Sequence, residues 1–237
     1  MTLFRSSFLS LAGVLSASLA CAADLPSHKA PPIVAPPAFS WQGGYIGLYA
    51  GALLGEGRFH FLGQAPLRGS GFVGGGTLGY NWQYTPEVVL GVEADFGFRG
   101  QIAAETVSGI YPGPTDSGVL GTLRGRAGYA FTPGWLLYAT GGFAYGTDFV
   151  PRTFSANSYG ISGQDSTGGT VRAGWTVGGG FEHQLFDRVS VKGEYLYVWL
   201  VGSSPSYTSN IGTVSGGVSS AGHVVRAGLN YRFGGAN

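Results

Sequence analysis

From Phe72 onward the chain alternates. Phe72, Gly74, Gly76, Leu78, Tyr80 and Trp82 make one set, and Val73, Gly75, Thr77, Gly79, Asn81 and Gln83 the other, the first apolar and the second small or polar. A period of two is that of a β-strand, whose successive side chains point to opposite faces. The same split recurs over 88–98, 119–131, 135–145, 171–181, 189–199 and 223–233. A further strand over 44–54 has two apolar faces, with Ile46, Leu48, Ala50, Ala52 and Leu54 as its expected outward set. The pattern predicts an all-β chain of eight strands.

The apolar sets of the seven clearer strands contain no Asp, Glu, Lys or Arg. Their complements hold Glu93, Asp95, Arg99, Arg124, Arg126, Arg172, Glu182, Lys192, Glu194, Arg226 and Arg232. A soluble barrel hides its apolar face and shows charge to water; a membrane barrel does the reverse. One small interior cannot bury so many charges and also serve as a hydrophobic core. An outer band of Leu, Val, Phe, Trp and Tyr suits lipid, where Arg or Lys at the midplane costs about 2–4 kcal/mol. Closure is then required, because an open sheet in lipid leaves unpaired backbone along its edges. The expected fold is an eight-stranded antiparallel transmembrane β-barrel.

Connection lengths point the same way. Short links are expected at 84–87, 132–134 and about 183–188, and long ones near 55–71, 99–118, 147–169 and 202–220, the latter rich in Gly, Ser, Thr, Asn or Pro. Outer-membrane barrels have short periplasmic turns and longer external loops. Tyr80, Trp82, Tyr129, Phe131, Trp135, Phe181, Tyr231 and Phe233 would form the periplasmic aromatic girdle.

Composition agrees. The 237 residues include 44 glycines, well above the ~7 % usual in proteins, which disfavours helices. A net charge of +1, with only 13 basic residues and no basic cluster, offers nucleic acid no footprint. Residues 1–22 combine Arg5, an apolar stretch from Phe8 to Leu19 and Ala20-Cys21-Ala22, the signature of a secretory signal peptide cut after Ala22. Ser18 stands where a lipoprotein signal usually has leucine, so acylation of Cys21 is not expected. Residues 23–40, with prolines at 26, 31, 32, 36 and 37, are expected to be a Pro-rich periplasmic linker. The barrel is expected over 41–233, with a short tail at 234–237 and no appended peptidoglycan-binding module.

Arg226-Ala-Gly228-Leu-Asn-Tyr231-Arg-Phe233 resembles the C-terminal assembly signal of outer-membrane barrels, carried by Arg226, Gly228, Tyr231 and Phe233. With the ADLP start of the Pro-rich lead, WQGGYIGLYAG at 41–51, GYNWQ at 79–83, GVEADF at 91–96, RGRAGYA at 124–130 and YATGGFAYG at 138–146, the chain resembles the RopB-type family of small outer-membrane proteins. The resemblance covers residues 23–233. It implies an OmpA-like barrel in the outer membrane of a Gram-negative bacterium, an abundant and immunogenic surface antigen that supports envelope integrity. Some relatives are porin-like or hemin-binding.

An eight-stranded barrel has room inside only for its own side chains. Glu93 and Asp95 are expected to pair with Arg124 and Arg126, and Glu194 with Arg226. With Arg172, Glu182 and Lys192 they form the expected interior polar cluster. A narrow porin-like channel is the alternative. His60 and His223 are the candidates for hemin or a metal, weighed against two unrelated surface histidines, while His28 is expected in the linker and His183 in a periplasmic turn. No GxSxG element or carboxylate pair facing solvent is present, and Gly74-Gly75-Gly76 has no helix after it to make a phosphate loop. The expected protein is monomeric, without cofactor, metal or catalysis. Its expected partners are outer-membrane lipid and lipopolysaccharide, the barrel-assembly machinery, and host or phage surface ligands or antibody.

Overall fold

A computed structural model describes residues 39–59, 66–100, 103–104, 110–112, 117–147, 153–156, 161–165, 171–203, 206–209, 212–215 and 218–233. The signal segment, nearly all of the Pro-rich lead, His28, His60 and the tail at 234–237 lie outside them. Eight long strands make the wall: β1 Gly43–Phe59, β2 Pro66–Gln83, β3 Val88–Arg99, β6 Gly118–Thr132, β7 Trp135–Thr147, β10 Val171–Phe186, β11 Val189–Ser203 and β14 Val218–Phe233. Each pairs antiparallel with its neighbours in the order β1-β14-β11-β10-β7-β6-β3-β2, and β1 also pairs with β2, so the sheet closes on itself. The two-residue β4, Ala103–Ala104, is appended to β2. No helix among the described residues is long and apolar enough to cross a membrane; the strands do so instead.

Side-chain orientation follows the period of two. On β3, Val88, Leu90, Val92, Ala94, Phe96 and Phe98 are exposed on the outer wall, while Glu93, Asp95 and Arg99 are buried inside. All eight aromatics expected in the girdle are exposed on the outer wall near the short turns. Gly134, in the β6–β7 turn after Pro133, has φ 83°, the left-handed value that the third position of a type II turn demands.

The long strands have 12 to 18 residues, against about 9–11 needed to span a bilayer, so they project beyond it. This moves several expected boundaries, and most of the link expected near 55–71 is strand, since β1 runs on to Phe59 and β2 begins at Pro66, leaving 60–65 between them. Strand β10 continues through His183 to Phe186, leaving only Asp187 and Arg188 in the turn before β11. His183 is thus a strand residue, paired with Trp135 and stacked on its ring at 4.1 Å, because two side chains on adjacent strands stay in register until the chain must reverse. At the opposite end, the long connections carry structure of their own. Strands β5 Ile110–Pro112, β8 Thr153–Ala156, β9 Ile161–Asp165, β12 Ser206–Ser209 and β13 Gly212–Ser215 form a second sheet in the order β13-β12-β9-β8-β5. Segments from three different connections are thereby joined by backbone hydrogen bonds.

Candidate functional site

The barrel interior holds three layers. The central one is ionic. Strands β3 and β6 place Glu93 directly opposite Arg124, and β11 and β14 place Glu194 opposite Arg226. Arg124 is fully buried and reaches beyond its neighbour. Its Nη2 donates to Glu93 and, at 3.0 Å, to Asp95, while Nη1 crosses the lumen to Glu194 at 2.8 Å. Arg226 crosses the other way, from Glu194 (Nε, 2.7 Å) to Asp95 (Nη2, 2.9 Å), its guanidinium lying 4.1 Å over the Tyr49 ring. Lys192 donates to Glu93 at 2.8 Å. Arg126 donates to Glu182 and to the Tyr45 hydroxyl, both at 2.9 Å, and stacks over Tyr138 at 4.1 Å.

Neutral groups complete the carboxylate shells. Tyr45 donates to Glu93, Thr122 to Asp95, Tyr138 to Glu194, and Ser190 and Asn230 to Glu182. Four carboxylates therefore face four cations, and each carboxylate accepts from several donors. Such balance is what a small low-dielectric space requires, since one unpaired ion there costs several kcal/mol. Arg172, the remaining residue of the expected cluster, lies part-buried near the loop end of β10, opposite Gly146.

Above and below it are clusters of packed apolar side chains, which alternation alone did not reveal. Toward the loops, Tyr49, Leu53, Val73, Leu120, Ala144, Leu196, Val198, Leu200 and Val224 pack together inside the wall. Toward the turns, Trp41, Val89, Leu136 and Tyr138 form a second cluster, with Phe39 packed against it. Phe39 and Ser40, read from the sequence as linker, are tied to the barrel. Arg232 donates to the Ser40 carbonyl at 2.9 Å and lies over the Phe39 and Trp41 rings, while Ser40 and the Trp41 amide donate to Gln83. Two signals pointed this way: the doubly apolar β1, and the inward Leu196, Val198 and Leu200 on β11.

Small residues allow the strands to approach one another around this filling. A Cβ at Gly174 would stand 1.8 Å from the Trp199 carbonyl oxygen, and one at Gly142 would stand 2.2 Å from that of Leu123. Neither position tolerates a side chain without movement of backbone.

The family described as outer membrane protein beta-barrel domain matches residues 9–233. The chain belongs to this family. It is 36 % identical to the 31 kDa outer-membrane immunogenic protein of Brucella melitensis, across 97 % of this chain and 100 % of that one. It is 31 % identical to the 22 kDa outer membrane protein of Rhizobium leguminosarum bv. viciae, across 83 % and 80 %. Among solved structures it is similar to Neisserial surface protein A at 15 % identity and TM-score 0.43, covering 81 % of this chain and 97 % of that one. The resemblance read from the motifs at 41–51 and 226–233 holds at the level of the family. The chain is an integral β-barrel protein of the Gram-negative outer membrane.

The other sequence candidates are dispersed. His223 sits at the loop end of β14 with its Nδ1 2.6 Å from the Tyr195 hydroxyl and its ring against Tyr197; its proposed companion His60 is outside the described residues. Among the described residues no three His, Cys, Asp or Glu are gathered as metal ligands. In the assembly-signal segment, Arg226 and Gly228 point inward, and Tyr231 and Phe233 lie on the outer wall.

Proposed function

We propose that this barrel is a closed, non-conducting and non-catalytic surface protein of the outer membrane, with the short turns in the periplasm and the external sheet displayed to the surroundings. One observation carries the reading: a balanced ionic layer enclosed between two apolar plugs. Permeant ions and water need a continuous wet path, and packed Leu, Val, Ala, Tyr and Trp side chains lie on both sides of the ionic layer, with Arg232 held against Phe39 and Trp41 on the turn side. An acid–base catalyst needs a carboxylate with an open coordination direction toward substrate, and the interior carboxylates here are occupied by arginine, lysine and hydroxyl donors.

The protein then serves the envelope through its outside. The wall engages lipid and lipopolysaccharide, the loops present the external sheet to antibody, phage or host, and Arg226, Gly228, Tyr231 and Phe233 address the assembly machinery. The relatives named as outer-membrane immunogenic proteins support exposure of such loops. Planar-bilayer recording of the refolded protein tests the closed lumen: a flat baseline is expected, and steady single-channel steps would establish the porin-like alternative instead.

A further inference from the structure

The outer wall is not uniformly convex. Where β1, β14 and β11 meet it contains a groove of about 700 Å³, lined by Ile46, Leu48, Leu229 and Tyr231 as bulky members and Ala50 and Ala227 as low ones. That volume lies within the ~300–1,000 Å³ of small-molecule sites. Register explains the recess. Leu48 stands beside Leu229, and Ala50 beside Ala227, which in turn pairs with Gly193. Large side chains therefore give way to small ones on β1 and β14, while on β11 the Phe181 ring lies over Gly193 and Val189 and Val191 complete the lining. A recess bordered by ridges suits a flexible apolar chain better than the wall of another barrel.

Depth and charge identify the chain. From Tyr231 to Ala227 the strand rises about 14 Å, or about 10 Å of membrane depth at the usual tilt. The groove thus occupies the half of the apolar band next to the short turns. At its mouth the β10–β11 turn places Arg188, exposed at its tip, with Nη1 3.4 Å from the Tyr231 hydroxyl and its carbonyl accepting from the Arg232 amide at 2.8 Å. Asp187 precedes Arg188 in the same turn, so what meets an anionic head is the directed guanidinium beside Tyr231 rather than a net positive patch, below a groove that suits a hydrocarbon tail.

We propose that the groove between β1, β14 and β11 seats one phospholipid of the periplasmic leaflet, its acyl chain beside Ala50 and Ala227 and its phosphate on Arg188. The inference rests on the orientation proposed above. Native mass spectrometry of the full protein, extracted in mild detergent from its own outer membranes, tests both. The wild type is expected to carry one phospholipid. Arg188→Gln, a change in an exposed turn, should lower its retention about fivefold, the factor that ~1 kcal/mol per interfacial cation represents. Ala227→Phe should remove the lipid by filling the groove. Ala127→Phe on the outer wall of β6, across the barrel, should leave it. Absence of an adduct, or retention unchanged in Arg188→Gln, overturns the site even if Ala227→Phe fails to assemble. A second copy of the chain in place of lipid overturns it as well. A glycolipid of the outer leaflet as the retained species would refute the orientation.

Discussion

Replacing Arg124 by methionine keeps much of the side-chain bulk and removes the charge on which three carboxylates converge. Glu93 would keep Lys192, and Asp95 and Glu194 would keep Arg226, so four carboxylates would share three cations. Removing one partner of a buried ion pair costs about 3–5 kcal/mol, because it leaves buried charge uncompensated. The expected loss for Arg124→Met is therefore about 3–5 kcal/mol, a large share of a stability that is ~5–15 kcal/mol in most proteins. Urea unfolding in lipid vesicles, followed by tryptophan fluorescence and by gel mobility of the unheated sample, measures it. Adding Glu194→Gln removes the surplus negative charge, and the double variant should recover about 0.5–3 kcal/mol relative to additivity. Arg124→Lys should fall between wild type and Arg124→Met, since an ammonium restores the charge but not the planar fork that spans the lumen. A loss under about 1 kcal/mol for Arg124→Met would refute the reasoning, because only water around these groups could absorb the change so cheaply.

Gly174→Ala should abolish the heat-modifiable barrel band on gels, as its Cβ has no space beside the Trp199 carbonyl; Gly125→Ala, whose nearest contact would be 4.0 Å away, should assemble and gain about 0.4–1 kcal/mol in the same urea assay. Leu123→Arg puts a charge on the lipid side of the wall beside the ionic layer and should cost about 2–4 kcal/mol in vesicles. Leu53→Ala, deep in the loop-side plug, should destabilise by about 2–5 kcal/mol through the cavity it leaves, measured by the same unfolding midpoint.

Much of the wall was legible because lipid imposes a local rule on each residue. A strand alternates, the lipid face accepts no charge, and so Val88, Glu93 and Lys192 each declare their side without reference to any distant residue. The contents of the lumen were less legible. Pairing of Glu93 with Arg124 follows from neighbouring strands and countable turns, whereas contacts from Arg124 to Glu194 and from Arg226 to Asp95 cross the lumen between strands far apart in sequence. Tyr45 and Tyr138 as ligands of that layer, and Trp41 as part of a plug, left no signal beyond being aromatic on an inward face. The second sheet was hidden for a related reason: β9 pairs with β12 through backbone groups, and those carry no side-chain pattern when neither face must meet lipid.

The sequence by itself determined eight strands, their inward and outward faces, the alternation of short and long connections and the residence in a membrane, because each depends on a two-residue period and a polarity that every segment states for itself. Tertiary structure decided which charges meet across the lumen, that Leu53 and Trp41 close it on either side, and where the wall is recessed beside Ala227. Those outcomes depend on strand register and on the curvature that closure imposes, and they exist only when β1 and β14 are brought together.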